Sequence, residues 1–285
     1  MTPPELSIIL PCYNEAAHVA AVVAAVHAAL EGLPHEVIVV DDGSTDGSGD
    51  HVPESARLLR HQRNLGYGAA IKTALRAARA PVLALIDADG TYPAPMLRTL
   101  FDTLQRDALD MAVAARQDLA KHEPPYRRTV RGLLTRYAAW LSGGNIPDLN
   151  SGLRVVRADL LRRCLPVLPE GFSLTTTLTI AALRQHAAVA FVPIDHEPRG
   201  ELSKVRPVRD ALGALKLVLR TGLYFAPLRV FGPLVAACLA LFVLSAGYDV
   251  FVLQNLTDKT VLMLVVTLFG GVLAVLADMI AKRLT

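Results

Sequence analysis

The sequence predicts an α/β domain on a mainly parallel sheet, followed by a hairpin of two transmembrane helices. Short, continuously apolar runs alternate with segments of helical length through residues 1–200, the pattern of strands buried on both faces. Three of those runs end in acids and turn residues. Two long runs, Val230 to Tyr248 and Thr260 to Ala277, hold no charge at all; each approaches the roughly 20 residues a helix needs to cross a bilayer. With 52% hydrophobic and 19% charged residues among 285, the chain is more apolar than an ordinary soluble enzyme. A pair of helices buried in a soluble core is the competing account of the two runs, and their length argues against it.

Taken in order, Leu6 to Leu10 reads as a strand and Glu15 to Leu30, rich in Ala, as a helix that Asn14 is placed to cap. Val37 to Val40 is a second strand, Arg57 to Arg60 a shorter third, and Gly68 to Arg79 a helix. Val82 to Ile86 is the fourth strand, Pro93 to Arg106 a helix, and Met111 to Ala115 the fifth strand. A basic helix follows from Arg127 to Leu141; Trp140, the only tryptophan, lies on its apolar side and suits packing or an interface better than catalysis. From Pro207 to Gly222, Val208, Ala211, Leu212, Leu215, Val218 and Leu219 share one helical face, with Arg209, Lys216 and Arg220 opposite. Such a helix would lie in the membrane interface, or dock on the protein itself. The expected divisions are a catalytic domain at 1–206, an interfacial helix and linker at 207–228, and two transmembrane helices within 229–285, at about 230–250 and 260–281.

Arg220 and Arg229 precede the first apolar run, Lys282 and Arg283 follow the second, and the connection from Asp249 to Lys259 holds one Lys against two Asp. By the positive-inside bias, both termini and the large N-terminal part are expected in the cytoplasm. Met1 to Glu5 do not open a basic, then apolar, leader, so no signal peptide is expected. Cys12, Cys164 and Cys238 fall in no metal-ligand spacing and read as reduced thiols. The net charge of +3 is too small to argue for nucleic acid; the basic residues cluster at 116–163 and 199–220, which points to anionic ligands or lipid headgroups.

In open parallel sheets, ligands bind outside the carboxyl ends of the strands. Strand one ends in PCYNE (Pro11 to Glu15), strand two in Asp41 and Asp42, and strand four in DADG (Asp87 to Gly90). Each motif alone has a plain structural explanation: Asn14 and Glu15 can cap a helix, and DGSTDG can be a tight turn. A calcium loop starting at Asp42 would need its bidentate Glu where Pro53 stands. Convergence of all three on one rim favours a site. Asp87 and Asp89, two apart on an extended segment, point the same way and can share a hard divalent cation, Mg²⁺ or Mn²⁺. Asp41 and Asp42 are then available to a base or ribose.

PCYNE, VDDGSTDG, NLGYGAA and DADG, in this order and spacing, resemble glycosyltransferase family 2, whose fold is the Rossmann-like GT-A domain and whose members act with inversion. AAR ending at Arg116, DLNSGLRVVR (Asp148 to Arg157) and VPIDHEPRGELSK (Val192 to Lys204) bring the chain nearer the polyprenyl-phosphate branch, similar to dolichyl-phosphate mannose synthases and bacterial relatives. The resemblance implies nucleotide contacts at Pro11, Tyr13, Asn14, Glu15, Asp41, Asp42 and Gly66, and a metal at Asp87 and Asp89. It further implies basic groups near the phosphates at Arg116 with Arg127 or Arg128, and acceptor-phosphate contacts at Arg199, Ser203 and Lys204, with Arg199 counted as catalytic beside Asp87, Asp89 and Arg116. Two departures bear on the sugar: Gly90 and Thr91 stand where relatives often carry Leu-Gln, and Thr175, Thr176 and Thr177 where many carry an acid.

The implied partners are a nucleotide-sugar donor, a polyprenyl-phosphate acceptor and membrane lipid; homo-oligomers occur among relatives, and no motif here sets a number. A lipid phosphate is already ionised near neutral pH, so the reaction needs positioning and charge screening more than a base. The donor stays open among uridine-diphosphate hexoses or N-acetylhexosamines and guanosine-diphosphate mannose. Alternatives are a different lipid or polysaccharide acceptor, or a non-catalytic nucleotide-sugar sensor or scaffold.

Overall fold

The computed structural model describes residues 3–117, 125–171, 173–194, 219, 222–224 and 226–284. The chain divides into two compact units, Met1–Asp210 and Ala211–Thr285.

The first unit is a seven-stranded sheet layered with helices. Its strands are β1 (Leu6–Cys12), β2 (His35–Asp41), β3 (Arg57–Arg60), β4 (Val82–Leu85), β5 (Met111–Arg116), β6 (Arg154–Arg157) and β7 (Val189–Ile194), in the order β3-β2-β1-β4-β6-β5-β7. Between them run α1 (Val19–Ala29), α2 (Tyr67–Ala77), α3 (Met96–Arg106), α4 (Pro125–Ser142), α5 (Ala158–Cys164) and α6 (Leu174–Arg184). Ile8, Ile9, Leu10, Val37 to Val40 and Val82 to Leu85 are all buried, as continuous apolar strands covered on both faces must be. Ser7 is the polar residue within β1; its hydroxyl donates to Glu36 (2.6 Å) and accepts from the amide of Ala80 (3.1 Å), so its burial leaves nothing unpaired.

The five expected strands and the four helices expected among and after them are present, with one correction. Helix α1 begins at Val19 rather than Glu15, and Asn14 does not cap it. Asn14 adopts a left-handed backbone (φ 56°) and faces the loop after β2 instead: its amide donates to Ser44 Oγ and its side-chain oxygen accepts from the Thr45 amide. Two strands went unforeseen. β7 extends the parallel set beside β5, whereas β6 runs antiparallel to both β4 and β5. Its direction matters, because Arg154 at its start pairs with Leu85 at the end of β4. The residues leading into β6 therefore arrive at the carboxyl rim.

Glycines allow two close approaches at that rim. Gly66 has φ 104°, and a β-carbon there would lie 2.6 Å from the Glu170 carbonyl oxygen; one on Gly68 would lie 2.2 Å from that of Pro169. The start of α2 thus packs backbone to backbone on the 169–171 loop, and the Ala69 amide donates to the Glu170 carbonyl (3.0 Å).

In the second unit, α7 (Pro227–Tyr248) and α8 (Asp258–Leu284) pack against each other as a hairpin. Pro227–Leu253 (27 residues) and Asp258–Ala281 (24 residues) are long and apolar enough to cross a membrane. At the turn, Asp249 Oδ2 accepts from the Thr257 amide and hydroxyl (2.7 and 2.6 Å), and Ser245 and Thr260 share a hydroxyl hydrogen bond (2.5 Å). The expected interfacial helix at 207–222 lies largely outside the described residues.

Gly68→Ala is expected to destabilise the first unit by about 1–3 kcal/mol, because the obstruction is backbone and cannot turn away. Thermal unfolding of the purified protein in detergent reads this; an unchanged midpoint would refute the close packing.

Candidate active site at the carboxyl rim

The rim is laced before it is a site. The acid-rich turn after β2 caps the end of β1: Ser48 Oγ accepts from the Glu15 amide (2.8 Å) and Asp46 Oδ2 from the Ala16 amide (3.1 Å). Asp46 Oδ1 also accepts from the Ser48 amide and hydroxyl, which together outweigh its slight desolvation and hold its pKa below the ordinary value. Asp41 Oδ1 accepts from the Ser44 amide (2.9 Å), and a β-carbon on Gly49 would be 2.4 Å from its Oδ2. Asp42 is nearly fully engaged. It accepts from the amides of Leu65 and Gly66 (2.9 and 2.8 Å) and from His61 Nδ1 (2.6 Å). A carboxylate has about four acceptor positions, and three of those of Asp42 hold the 61–66 loop. Tyr13 is 46% exposed at the end of β1 and Pro11 is half-buried within it. Glu15 lies 3.1 Å from His18 Nδ1.

Asp87 lies two residues beyond β4, among Tyr67, Tyr92 and Gly152. The Gly152 amide donates to Tyr92 Oη (2.7 Å), and a β-carbon on Gly152 would sit 2.4 Å from Asp87 Oδ2. Only a glycine lets the backbone come so close to the carboxylate. Burial, followed by repulsion from Asp89, pushes the Asp87 pKa up to about 6, against opposing effects from the Tyr67 phenol, Arg116 and Arg154. Asp87 Oδ1 is buried with no hydrogen-bond partner among the described residues. Asp89 Oδ1 accepts from the Thr91 amide and hydroxyl (3.0 and 2.7 Å).

Arg116, at the end of β5, forks onto Asp148: Nε to Oδ2 at 2.7 Å and Nη2 to Oδ1 at 3.0 Å, with its own amide also on Oδ2. Burial would raise the Asp148 pKa, but this fork and the Arg116 charge outweigh it and hold the carboxyl below its ordinary range. Arg116 keeps its field and unused N–H groups, but its orientation is set by Asp148.

One central residue was not anticipated. Arg154 is wholly buried, its Nη1 on the Thr175 carbonyl and Thr179 hydroxyl (3.0 and 3.2 Å) and its Nη2 on the Ser151 carbonyl (2.5 Å). Burial lowers its pKa, opposed by the charges and dipoles of Tyr67, Tyr92, Asp148 and Asp87. The signal lay inside DLNSGLRVVR, but only the antiparallel course of β6 reveals it. The same segment reaches α6, where Thr176 donates to Asn150 Oδ1.

Arg128 is exposed on α4. Arg199, Ser203, Lys204 and the side chain of Arg127 lie outside the described residues. No group of three or more His, Cys, Asp or Glu side chains positioned to hold a metal occurs among the described residues. The donor chemistry still fits a hard divalent cation: two carboxylates, one with an unpartnered buried oxygen, in a cradle that a side chain at 152 would fill.

Acids stand beside arginines at the strand ends of this α/β sheet, where ligands of such sheets bind, and arginine and a bound cation are the groups that suit phosphate oxygens. The family model Glycosyl transferase family 2 matches residues 7–165, and the chain belongs to that family. Dolichyl-phosphate hexose transferase of Haloferax volcanii is 28% identical over 221 residues, 76% of this chain and 93% of that one. Dodecaprenyl-phosphate galacturonate synthase of Rhizobium johnstonii is 27% identical over 98% of this chain and 88% of its own. Polyprenol monophosphomannose synthase of Mycolicibacterium smegmatis is 29% identical over 67% and 77%. Among solved structures, glucosyl-3-phosphoglycerate synthase of Mycobacterium tuberculosis in complex with Mn²⁺, UDP-glucose and phosphoglyceric acid superposes with a TM-score of 0.61 at 22% identity, covering 78% of this chain and 80% of that one. The likeness establishes the GT-A-like fold.

Gly152→Ala is expected to leave the protein folded but displace the Asp87 carboxylate, lowering glycosyl-transfer turnover on the order of 100-fold, the effect of misplacing a reacting group by about 1 Å. Steady-state rates alongside a thermal-unfolding midpoint test this, and wild-type turnover would overturn the cradle.

Proposed function

We propose that the protein transfers a sugar, with inversion, from a nucleotide-sugar donor to a polyprenyl phosphate at the cytoplasmic face of a membrane, yielding a lipid-phosphate sugar and a nucleoside diphosphate. The observation that carries the donor half is the Asp87 cradle, with its unpartnered carboxylate oxygen beside a second acid and two arginines. The acceptor half is supported by the names of three relatives that align with two thirds or more of the chain, each a polyprenol- or dolichol-type transferase or synthase. The two long apolar helices support a membrane location, and the excess of basic residues flanking them supports a cytoplasmic catalytic unit.

In this reading Tyr13, Asn14 and the Asp41 side of the laced turn receive the nucleoside, and Asp87 with Asp89 would hold Mg²⁺ or Mn²⁺. When bound there, the cation supplies charge neutralisation for the diphosphate as it departs; the Mn²⁺ complex of the structural relative supports the choice. Arg116, oriented by Asp148, presents a fixed positive field toward the same rim. Preorientation removes part of the reorganisation that a free side chain would undergo during the reaction. The acceptor phosphate arrives ionised, so its oxygen attacks without surrendering a proton to the protein; Arg199, Ser203 and Lys204 are the proposed contacts.

Purified protein in detergent, assayed for nucleoside-diphosphate release over a panel of nucleotide sugars with and without polyprenyl phosphate, is expected to turn over one donor in a lipid-dependent manner. Release indifferent to lipid would transfer the assignment to another acceptor, and binding without release to a sensor. Asp89→Ala is expected to abolish release while the protein stays folded.

The raised Asp87 pKa sets a pH dependence. Its ordinary value is 3.8 and its folded value about 6, so a cation must displace a proton below that pH. Mn²⁺ affinity, measured calorimetrically, is expected to fall about tenfold per unit as pH drops beneath about 6 and to level above it. Without cation the sign reverses for the fold itself. The proton is held more tightly folded than unfolded, so this contribution is complete below about pH 4 and is lost as pH rises through about 6. A flat affinity profile from pH 5 to 7 would contradict the shift.

A further inference from the structure

Helix α7 does not stop cleanly at Tyr248. Asp249–Leu253 continue it as a wider π turn, and Gln254, with a left-handed backbone (φ 50°), sends the chain toward α8. Such turns are often found at functional positions in helices, and this one carries a buried acid. Asp249 is wholly enclosed (0% exposed) near the end of a strongly apolar span.

Oxygen atoms gather around it. Asp249 Oδ2 accepts from the amide and hydroxyl of Thr257; the Thr257 hydroxyl lies 3.3 Å from that of Thr260, which in turn lies 2.5 Å from that of Ser245. Thr260 is buried and Ser245 half-buried. Two side chains before the turn and two after it therefore form one connected cluster whose polar side-chain atoms are all oxygens. A hydroxyl that donates its hydrogen still offers oxygen lone pairs.

The cluster is short of positive charge. Asp249 Oδ1 is buried without a hydrogen-bond partner among the described residues. Lys259, the lysine of the turn, holds its Nζ 5.8 Å from the centre of the Tyr248 ring. A buried carboxylate left uncompensated is strongly unfavourable, and either a proton or a cation would relieve it. A proton on Oδ1 would need an acceptor, and none lies within hydrogen-bond distance among the described residues; Oδ2 already receives two donors. A cation needs the oxygens that are already gathered. One negative charge is neutralised by a monovalent ion, whereas a divalent ion would leave net positive charge in an apolar span. Hydroxyl and carboxylate oxygens suit a hard ion, and the carbonyl end of α7 adds partial negative charge. Interrupted helix ends hold Na⁺ in membrane proteins by the same means.

We propose that Asp249, Thr257, Thr260 and Ser245 bind Na⁺, with Asp249 Oδ1 supplying the charge and the hydroxyl oxygens completing the site. The ion would tie the end of α7 to the start of α8 and so pin the turn of the hairpin. The site lies wholly within the second unit and does not rest on the glycosyl-transfer reading.

Equilibrium dialysis of the full chain in detergent against ²²Na⁺, in choline chloride with EDTA, is expected to show saturable binding of one Na⁺ per chain. Asp249→Asn, which removes the charge and keeps the shape, should abolish it, and Thr260→Val should weaken it about tenfold. Asp87→Asn should leave it intact, which separates this site from the acids of the rim. A variant-free measurement covers the case in which Asp249→Asn does not fold: the unfolding midpoint of the unaltered protein should rise with NaCl above its value in choline chloride at equal ionic strength. Absence of saturable Na⁺ binding overturns the proposal, as does binding that survives Asp249→Asn, or equal midpoints in the two salts. An infrared band of a protonated carboxylic acid that Asp249→Asn removes would overturn it in favour of a proton.

Discussion

The antiparallel course of β6 is the constraint on which the rim depends. Parallel strands deliver their carboxyl ends to one edge of a sheet, and a ligand site built from them alone consists of loops leaving that edge. β6 runs the other way, so the chain entering it supplies a further loop, residues 148–153, beneath the loops of β4 and β5. Four members of that segment hold something: Asp148 the Arg116 fork, Asn150 the Thr176 hydroxyl, Ser151 the Arg154 guanidinium, and Gly152 both Tyr92 and the space beside Asp87. The segment ends in a wholly buried arginine. An isolated buried charge is strongly unfavourable, and Arg154 is tolerated because carbonyl and hydroxyl oxygens surround it while Asp87 and Asp148 supply opposite charge. Removing either side leaves the other buried without compensation, which ties the fold of this region to the site it carries.

The acids after β2 obey the same logic by a different route. A strand as apolar as Val37 to Val40 ends against water, and the turn beyond it must satisfy amides from two other loops. Asp42 takes the amides of 65 and 66, Asp46 that of Ala16, and Ser48 that of Glu15. Paired carboxylates at the end of an apolar strand thus act first as acceptors for backbone that would otherwise be unpaired at a crowded edge. A rim stiffened in this way holds the exposed Tyr13 and Asn14 in one arrangement before any ligand arrives.

Local pattern made β1 to β5 legible, because continuous β-branched and aliphatic runs bounded by turn residues have few other readings. It failed where meaning came from topology. The four residues of β6 are too short and too ordinary to declare a direction, and nothing in Arg-Val-Val-Arg says that its first arginine is the most deeply buried charge in the sheet. The start of α1 was misplaced because Asn14 is as good a helix cap as it is a left-handed bridge, and the choice is made by Ser44 and Thr45, thirty residues on. Arg116 and Asp87 could be named as site residues from their motifs, yet the cradle that shifts one and the carboxylate that orients the other come from residues 148 and 152, which are distant in sequence.

The described rim bears on the nucleophile in the proposed reading. His61, bonded to Asp42 and to Thr73 Oγ1, has both ring nitrogens occupied within the chain. Asp87, with a pKa of about 6, is ionised at neutral pH, but its unpartnered oxygen sits in the cradle where a cation would take its charge. Arg116 and Arg154 add positive field, which favours an anion beside them. A hydroxyl acceptor would need a base with a free lone pair at the reaction centre. In the proposed reading, an acceptor that arrives as a phosphate needs only to be brought close and screened, tasks that the oriented Arg116 and a cation held by Asp87 and Asp89 would share.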